Sequence, residues 1–167
     1  MDVRTAISER KSIRRYLSKQ IPKEVMDDLL DAMRLAPSAN NMQRWSMIVV
    51  TDSSVKKKLV AVSGNQRFVG ECSAYLVGVT EPGAHYSTVD MTIALDHLTL
   101  RAVELGLGTC WIGDFEPDKV KEILGIPKER EVPICMTLGY PVQRPASRKR
   151  KEFSDLFHSD RWDNPWH

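Results

Sequence analysis

Two short runs hold the residue types that chemistry needs. Arg10-Lys11-Ser12-Ile13-Arg14 sets three cations and a hydroxyl just after a short amphipathic stretch. A phosphate monoester is held by two or three charge-assisted hydrogen bonds, and arginine offers them as a planar fork. Pro37-Ser38-Ala39-Asn40-Asn41-Met42-Gln43-Arg44-Trp45 packs small side chains, amides and an indole into one stretch, a composition suited to holding a flat polar ring. Together the two runs point to a bound phosphorylated cofactor. A basic run at 148–151 adds Arg148 and Arg150 as phosphate candidates, and Asn65-Gln66-Arg67-Phe68 offers two more amides. The backbone of Gly106-Leu107-Gly108-Thr109-Cys110-Trp111-Ile112-Gly113 can approach a ring system closely. Taken singly, each basic cluster reads more simply as an exposed charged stretch. The Pro37–Trp45 run reads equally well as a polar connection with Trp45 anchored in the core.

Other chemistries find little support. The glycine run ends a helix and enters a strand, the reverse of a dinucleotide fingerprint, which follows a strand and opens a helix. His85, His97, His158 and His167 lack metal-ligand spacing with one another or with cysteine, so no metal site is expected. No Gly-x-Ser-x-Gly elbow is present. Cys110 is the one nucleophile candidate, and a small buried core residue is its simpler role. No residue is assigned a catalytic function.

The elements that must position these runs follow from periodicity and punctuation. Helices are expected over 2–10, with Val3, Ala6 and Ile7 on one face, and over 22–36, opened by Pro22 and stopped by Pro37. Ser46 to Thr51 reads as a buried strand. Ser53 caps a helix that runs through Leu59 and Val62 to Gly64. Ala74 to Thr80 is a second strand, followed by a turn at Glu81-Pro82-Gly83. Residues 88–105 form the longest helix, and Thr109 to Ile112 a third strand. Pro117 opens and Gly125 closes another helix, and Ile134 to Leu138 is a fourth strand. The alternation gives a mixed α and β class.

A chain of 167 residues is expected to be one domain, 1–167, with a real core. With a net charge of +2 it is no polycation, and no aromatic residues interleave the basic run, so nucleic acid is not an expected partner. No apolar stretch is long enough to span a membrane, and Met1-Asp2-Val3-Arg4 lacks the apolar core of a signal peptide. Three scattered cysteines make no disulfide framework, and a cytoplasmic location is expected. Beyond Pro141 the chain turns polar and basic, then carries Phe153, Leu156, Phe157, Trp162 and Trp166. A solvated tail rarely keeps so many large apolar groups, so 142–167 is read as an arm that packs on a partner subunit.

On these residues the chain resembles the FMN-dependent nitroreductase family over nearly its whole length. Arg10 to Arg14 resembles that family's Arg-Arg-Ser-x-Arg opening, Pro37 to Trp45 its Pro-Ser-x-x-Asn-x-Gln-Pro-Trp motif, and Gly106 to Gly113 its Gly-Leu-Gly-x-x-Trp segment. Gly139-Tyr140-Pro141 with the basic run resembles its closing section, and all four stand in the family's order. The resemblance implies an α+β fold with a central, mostly antiparallel sheet flanked by helices. It implies an intertwined homodimer with C-terminal arm exchange and two FMN sites at the interface. Arg10, Lys11 and Ser12 would meet the phosphate and ribityl chain, with Arg148 and Arg150 closing over the phosphate. Arg14 and Asn65 would lie at the pyrimidine edge, where a cation stabilises negative charge on the reduced ring. Ile112 and Gly113 would run along the ring, and Pro37, Ser38, Ala39 and Asn41 would come from the other subunit. The implied activity is ping-pong electron transfer from NADH or NADPH through FMN to a nitroaromatic, quinone or similar small acceptor. Alternatives are a specialised flavoenzyme of the same fold (dehalogenase, enoate reductase or flavin-fragmenting type) and a non-catalytic flavin-binding protein. Three positions depart from the family pattern: Arg44 and Glu152 replace prolines, and Phe68 replaces a lysine found in some members. The stretch from Thr80 to Asp90 is also short, where longer members place a lid.

Overall fold

The computed structural model describes residues 1–166; His167, the last residue of the expected arm and one of the four histidines, lies outside the described residues. Ten regular elements follow in order: α1 (Val3–Glu9), α2 (Lys23–Arg34), β1 (Trp45–Val50), α3 (Ser53–Val62), α4 (Phe68–Glu71), β2 (Ala74–Thr80), α5 (Ser87–Glu104), β3 (Gly108–Ile112), α6 (Pro117–Leu124) and β4 (Cys135–Gly139). Short 3-10 turns lie at Ala39–Asn41 and Phe153–Asp155. The strands form one sheet in the order β1-β2-β4-β3, and every neighbouring pair is antiparallel.

β2 is the strand around which both cores assemble. All seven of its residues are buried, and alternate side chains enter opposite faces of the sheet. Tyr75 and Val77 join Ile13, Leu59, Cys110, Ile112 and Cys135 on one face. Ala74 and Leu76 join Leu29, Met33, Leu95, Leu98, Met136 and Leu138 on the other, beneath α2 and α5. α5 fits that position because Met91, Ala94, Leu95, Leu98 and Ala102 recur at helical spacing and are fully buried.

Local signals explain most element ends. Pro117 stands in the first turn of α6, and Gly125 closes that helix at φ +67°. At α3 the cap is one residue earlier than expected. The Asp52 carboxylate accepts the N–H groups of Ser54 and Val55 at 2.8 and 2.9 Å, so Ser53 is the first helical residue and not the cap. The apolar face expected on α1 is also corrected: Ala6 is buried, whereas Val3 and Ile7 are exposed. α4 was not foreseen, since four residues are too few for a period to register.

Residues 10–17 form a strap that crosses the sheet. The Ile13 N–H donates to the Thr109 carbonyl at 2.9 Å, and the Leu17 N–H to the Tyr140 carbonyl at 2.9 Å. The Val142 N–H donates to the Arg15 carbonyl at 3.1 Å. The Tyr16 hydroxyl donates to the Ile13 carbonyl at 2.8 Å and lies 2.7 Å from the Thr137 hydroxyl. Ile13 is the strap's apolar anchor, only 1% exposed. It sits directly over Gly108, where an added Cβ would stand 2.3 Å from Ile13 Cγ1. Gly108→Val is therefore expected to overpack this contact by ~3 kcal/mol, lowering the Tm by roughly 6–12 °C in a thermal melt. An unchanged Tm would mean that the strap shifts freely.

Candidate functional site

The strap, the end of α1 and residues 143–150 enclose a cavity of about 660 Å³. Its wall carries Arg10, Lys11, Arg14, Arg15, Arg148 and Arg150, together with the Ser12 hydroxyl and no carboxylate. Five of the six cations belong to the two basic runs; Arg15 is the addition, reached because the strap turns past it. Ile7 contributes apolar wall, which accounts for its exposure. The fold thus joins runs that lie more than 130 residues apart in sequence.

Backbone geometry sets several of these groups in place. Arg10 ends α1, its N–H bonded to the Ala6 carbonyl at 3.0 Å. The Lys11 ammonium donates to the Ser8 carbonyl in the last turn of α1, where helix carbonyls lack internal partners. Arg144 does not line the cavity. Its guanidinium reaches the Glu9 and Leu107 carbonyls, both at 3.4 Å, and so ties the 143–150 segment to α1 and to the start of β3. This tethering role was not legible in the sequence, where Arg144 stands outside the 148–151 run and has no assigned partner.

Cys110 lies under the strap and is 2% exposed. Burial pushes its thiol up, and nearby Arg14 opposes that only in part. Burial likewise pushes Cys72 up to about 11 and Cys135 up to about 12. All three thiols are free and protonated near neutrality, so none is an activated nucleophile. Among the described residues no cluster of three or more His, Cys, Asp or Glu could hold a metal ion.

Asn65 and Gly113 come together at the far end of β3. Gly64 takes φ +61°, and an added Cβ there would collide with the Asp114 carboxylate. The Glu116 N–H donates to the Val62 carbonyl at 2.8 Å, fastening the same two segments. Asn65 itself adopts φ +53° and is exposed. Gly113 is exposed, with open space where a Cβ would stand. Ile112 is 1% exposed and packed in the core, so only its backbone can face a ligand.

Pro37, Ser38, Ala39 and Asn41 lie elsewhere. Their loop is tightly built, with Asn40, Asn41 and Gln43 at φ +50°, +55° and +50°. Asparagine tolerates this left-handed region, but glutamine adopts it rarely. The Gln43 N–H donates to Ser38 Oγ at 3.2 Å, and the Gln43 side-chain amide to the Asn41 carbonyl at 3.1 Å. The Ala39 N–H donates to Asp90 Oδ1 at 3.1 Å, in the first turn of α5. The strap meets β3 just past the other end of that helix. About 21 Å of helix, from Asp90 to Glu104, therefore separates the loop from the strap within one chain.

The model of the family described as the nitroreductase family matches residues 7–68 and 60–140. A protein of Archaeoglobus fulgidus, provisionally named NADH dehydrogenase/NAD(P)H nitroreductase, is 32% identical over 168 residues, spanning 95% of this chain and 91% of its own. The FMN reductase [NAD(P)H] of Bacillus subtilis is 26% identical, spanning 98% of this chain and 75% of its own. Among solved structures, the NADPH:FMN oxidoreductase of Vibrio harveyi in complex with NAD+ superposes with a TM-score of 0.90 at 26% identity, covering 97% of this chain and 78% of that one. A nitroreductase family protein of Clostridium novyi NT superposes with a TM-score of 0.81 at 28% identity, covering 99% and 97%.

Proposed function

Because the chain belongs to the nitroreductase family, we propose that it is an FMN-dependent NAD(P)H oxidoreductase that works as a homodimer. The observation that supports this most is the cavity of six cations and a serine hydroxyl without a carboxylate. That donor set suits a phosphate dianion. Bound there, FMN would supply the two-electron redox chemistry of a ping-pong reaction between NADH or NADPH and a nitroaromatic, quinone or similar small acceptor.

The chain's own residues bind and orient. Arg10, Lys11 and Ser12 hold the phosphate and the ribityl chain from the strap side, and Arg148 and Arg150 close from the arm side. Arg14 and Asn65 take the pyrimidine edge, where the Arg14 charge favours any state with added negative charge. The backbone of Ile112 and Gly113 runs beside the ring. Pro37, Ser38, Ala39 and Asn41 of the partner subunit complete the pocket, since the same chain's loop stands too far from its own strap. Residues 1–167 act as one domain, with 142–167 as the arm that crosses to the partner. Three free thiols fit a reducing, cytoplasmic setting.

The test is a visible absorbance spectrum of the purified protein, before and after anaerobic NADPH and NADH. A two-banded flavin spectrum that bleaches is the expected result. Failure to retain or bind FMN would sink the reading. Arg14→Ala is expected to slow reduction of the bound flavin more than it weakens FMN affinity, as followed by stopped-flow absorbance. Equal reduction rates in the bound fraction would remove Arg14 from its assigned edge.

A further inference from the structure

We infer that Asp90 is a positioning residue that holds the 37–43 loop in its ring-binding shape, an inference that rests on the FMN reading above. Asp90 is 5% exposed, yet it takes part in no ion pair among the described residues. A buried carboxylate is costly unless something compensates it. Two groups do so here. The carboxylate lies in the first turn of α5, where the helix presents the positive end of its dipole. Its Oδ1 also accepts the Ala39 N–H across 51 residues of sequence.

That second bond explains how the loop keeps an unfavourable backbone. Ala39 opens the 3-10 turn of the loop, and Ser38, which precedes it, makes no side-chain cap with the turn. Asp90 caps the turn from another element. The turn then leads straight into the left-handed residues Asn40, Asn41 and Gln43. Such conformations persist only where the surroundings over-determine them. The same short segment grips the loop's other end, where Glu81 faces Arg44 at 3.9 Å and is itself steadied by Arg130 at 3.4 Å. Arg44, in the position where the family has proline, thus has a partner in Glu81. The stretch that is too short to form a lid serves as a buttress.

The experiment compares Asp90→Ala and Asp90→Asn with the wild-type dimer. Amide hydrogen exchange at residues 39–43 is read without flavin, and FMN affinity by titration. In D90A the loop amides are expected to exchange faster and the FMN Kd to rise about 10- to 100-fold, the loss of one buried hydrogen bond to a charged acceptor. D90N retains an oxygen acceptor for the Ala39 N–H and is expected to restore most of both. Unchanged loop exchange in D90A overturns the inference. So does faster exchange with unchanged FMN affinity. Should D90A fail to fold, Ala39→Pro removes the donor from the loop side, at a helix-start position that tolerates proline. FMN binding by A39P as tight as wild type overturns the inference equally. If the wild-type protein binds no FMN, the cofactor reading fails by itself, and loop exchange still reports whether Asp90 holds the loop.

Discussion

Truncation after Glu152 is expected to yield monomers that no longer retain FMN. The removed segment exposes Phe153, Leu156, Phe157, Trp162 and Trp166, with Trp162 80% accessible. Covering side chains of this size is worth roughly 1.5–3 kcal/mol each, so the five together would supply a large share of the proposed subunit association. The arm is already partly shaped for docking. The Phe153 and Phe157 rings pack at 4.4 Å with a 37° tilt, the Trp166 backbone N–H donates to the Phe157 carbonyl at 3.0 Å, and the Ser159 N–H to the Asn164 carbonyl at 2.7 Å. Local order of this kind lowers the entropic cost of binding. The truncation spares Arg148 and Arg150, so the cation cavity keeps all six of its charges. Loss of flavin would then report the absence of the partner's loop and not damage to the phosphate site. Size-exclusion chromatography with light scattering reads the mass, and the visible spectrum reads the flavin. A truncated protein that remains a dimer and keeps its flavin would refute the role given to the arm.

The second large effect concerns the phosphate itself. Arg10→Ala combined with Arg148→Ala is expected to weaken FMN binding on the order of 1000-fold, taking ~2 kcal/mol for each hydrogen bond between charged partners. Arg10 approaches from the strap and Arg148 from the arm root, so the two losses should add. Riboflavin, which has the ring and the ribityl chain but no phosphate, is expected to bind the variant as it binds the wild type. Titration of the apoprotein with both ligands makes the comparison. An equal loss for FMN and riboflavin would show that the two arginines support the pocket's shape and not the phosphate.

Much of the fold could be read from spacing alone because its signals are local. Pro117 and Gly125 bracket α6 by backbone chemistry that acts within a turn. The apolar period of α5 survives because one face meets the sheet along its whole length. Elements that depend on distant contacts stayed hidden. α4 has too few residues for a period, and Val3 and Ile7 look like core until the cavity and the open flank of α1 are in place. The site divides in the same way. The cations announced themselves by clustering, but Arg144, outside the clusters, had no role until the Glu9 and Leu107 carbonyls came within reach. Ile112 sits in a segment with the right glycines, yet strand alternation turns its side chain inward. Asp90 left one trace, an acid lying on the buried stripe of α5 between Ser87 and Met91. Its meaning depends on a loop 51 residues away.

The strap has a consequence for how the protein is made. The backbone of Arg15 and Leu17 bonds to Val142 and Tyr140, and that of Ile13 to Thr109. A nascent chain that has emerged as far as α3 therefore carries a complete basic strap with nowhere to lie. Contacts between segments so far apart in sequence form slowly, and they form late during synthesis. Cofactor capture is on this account a late event of biogenesis, reserved for a chain that has emerged beyond Val142.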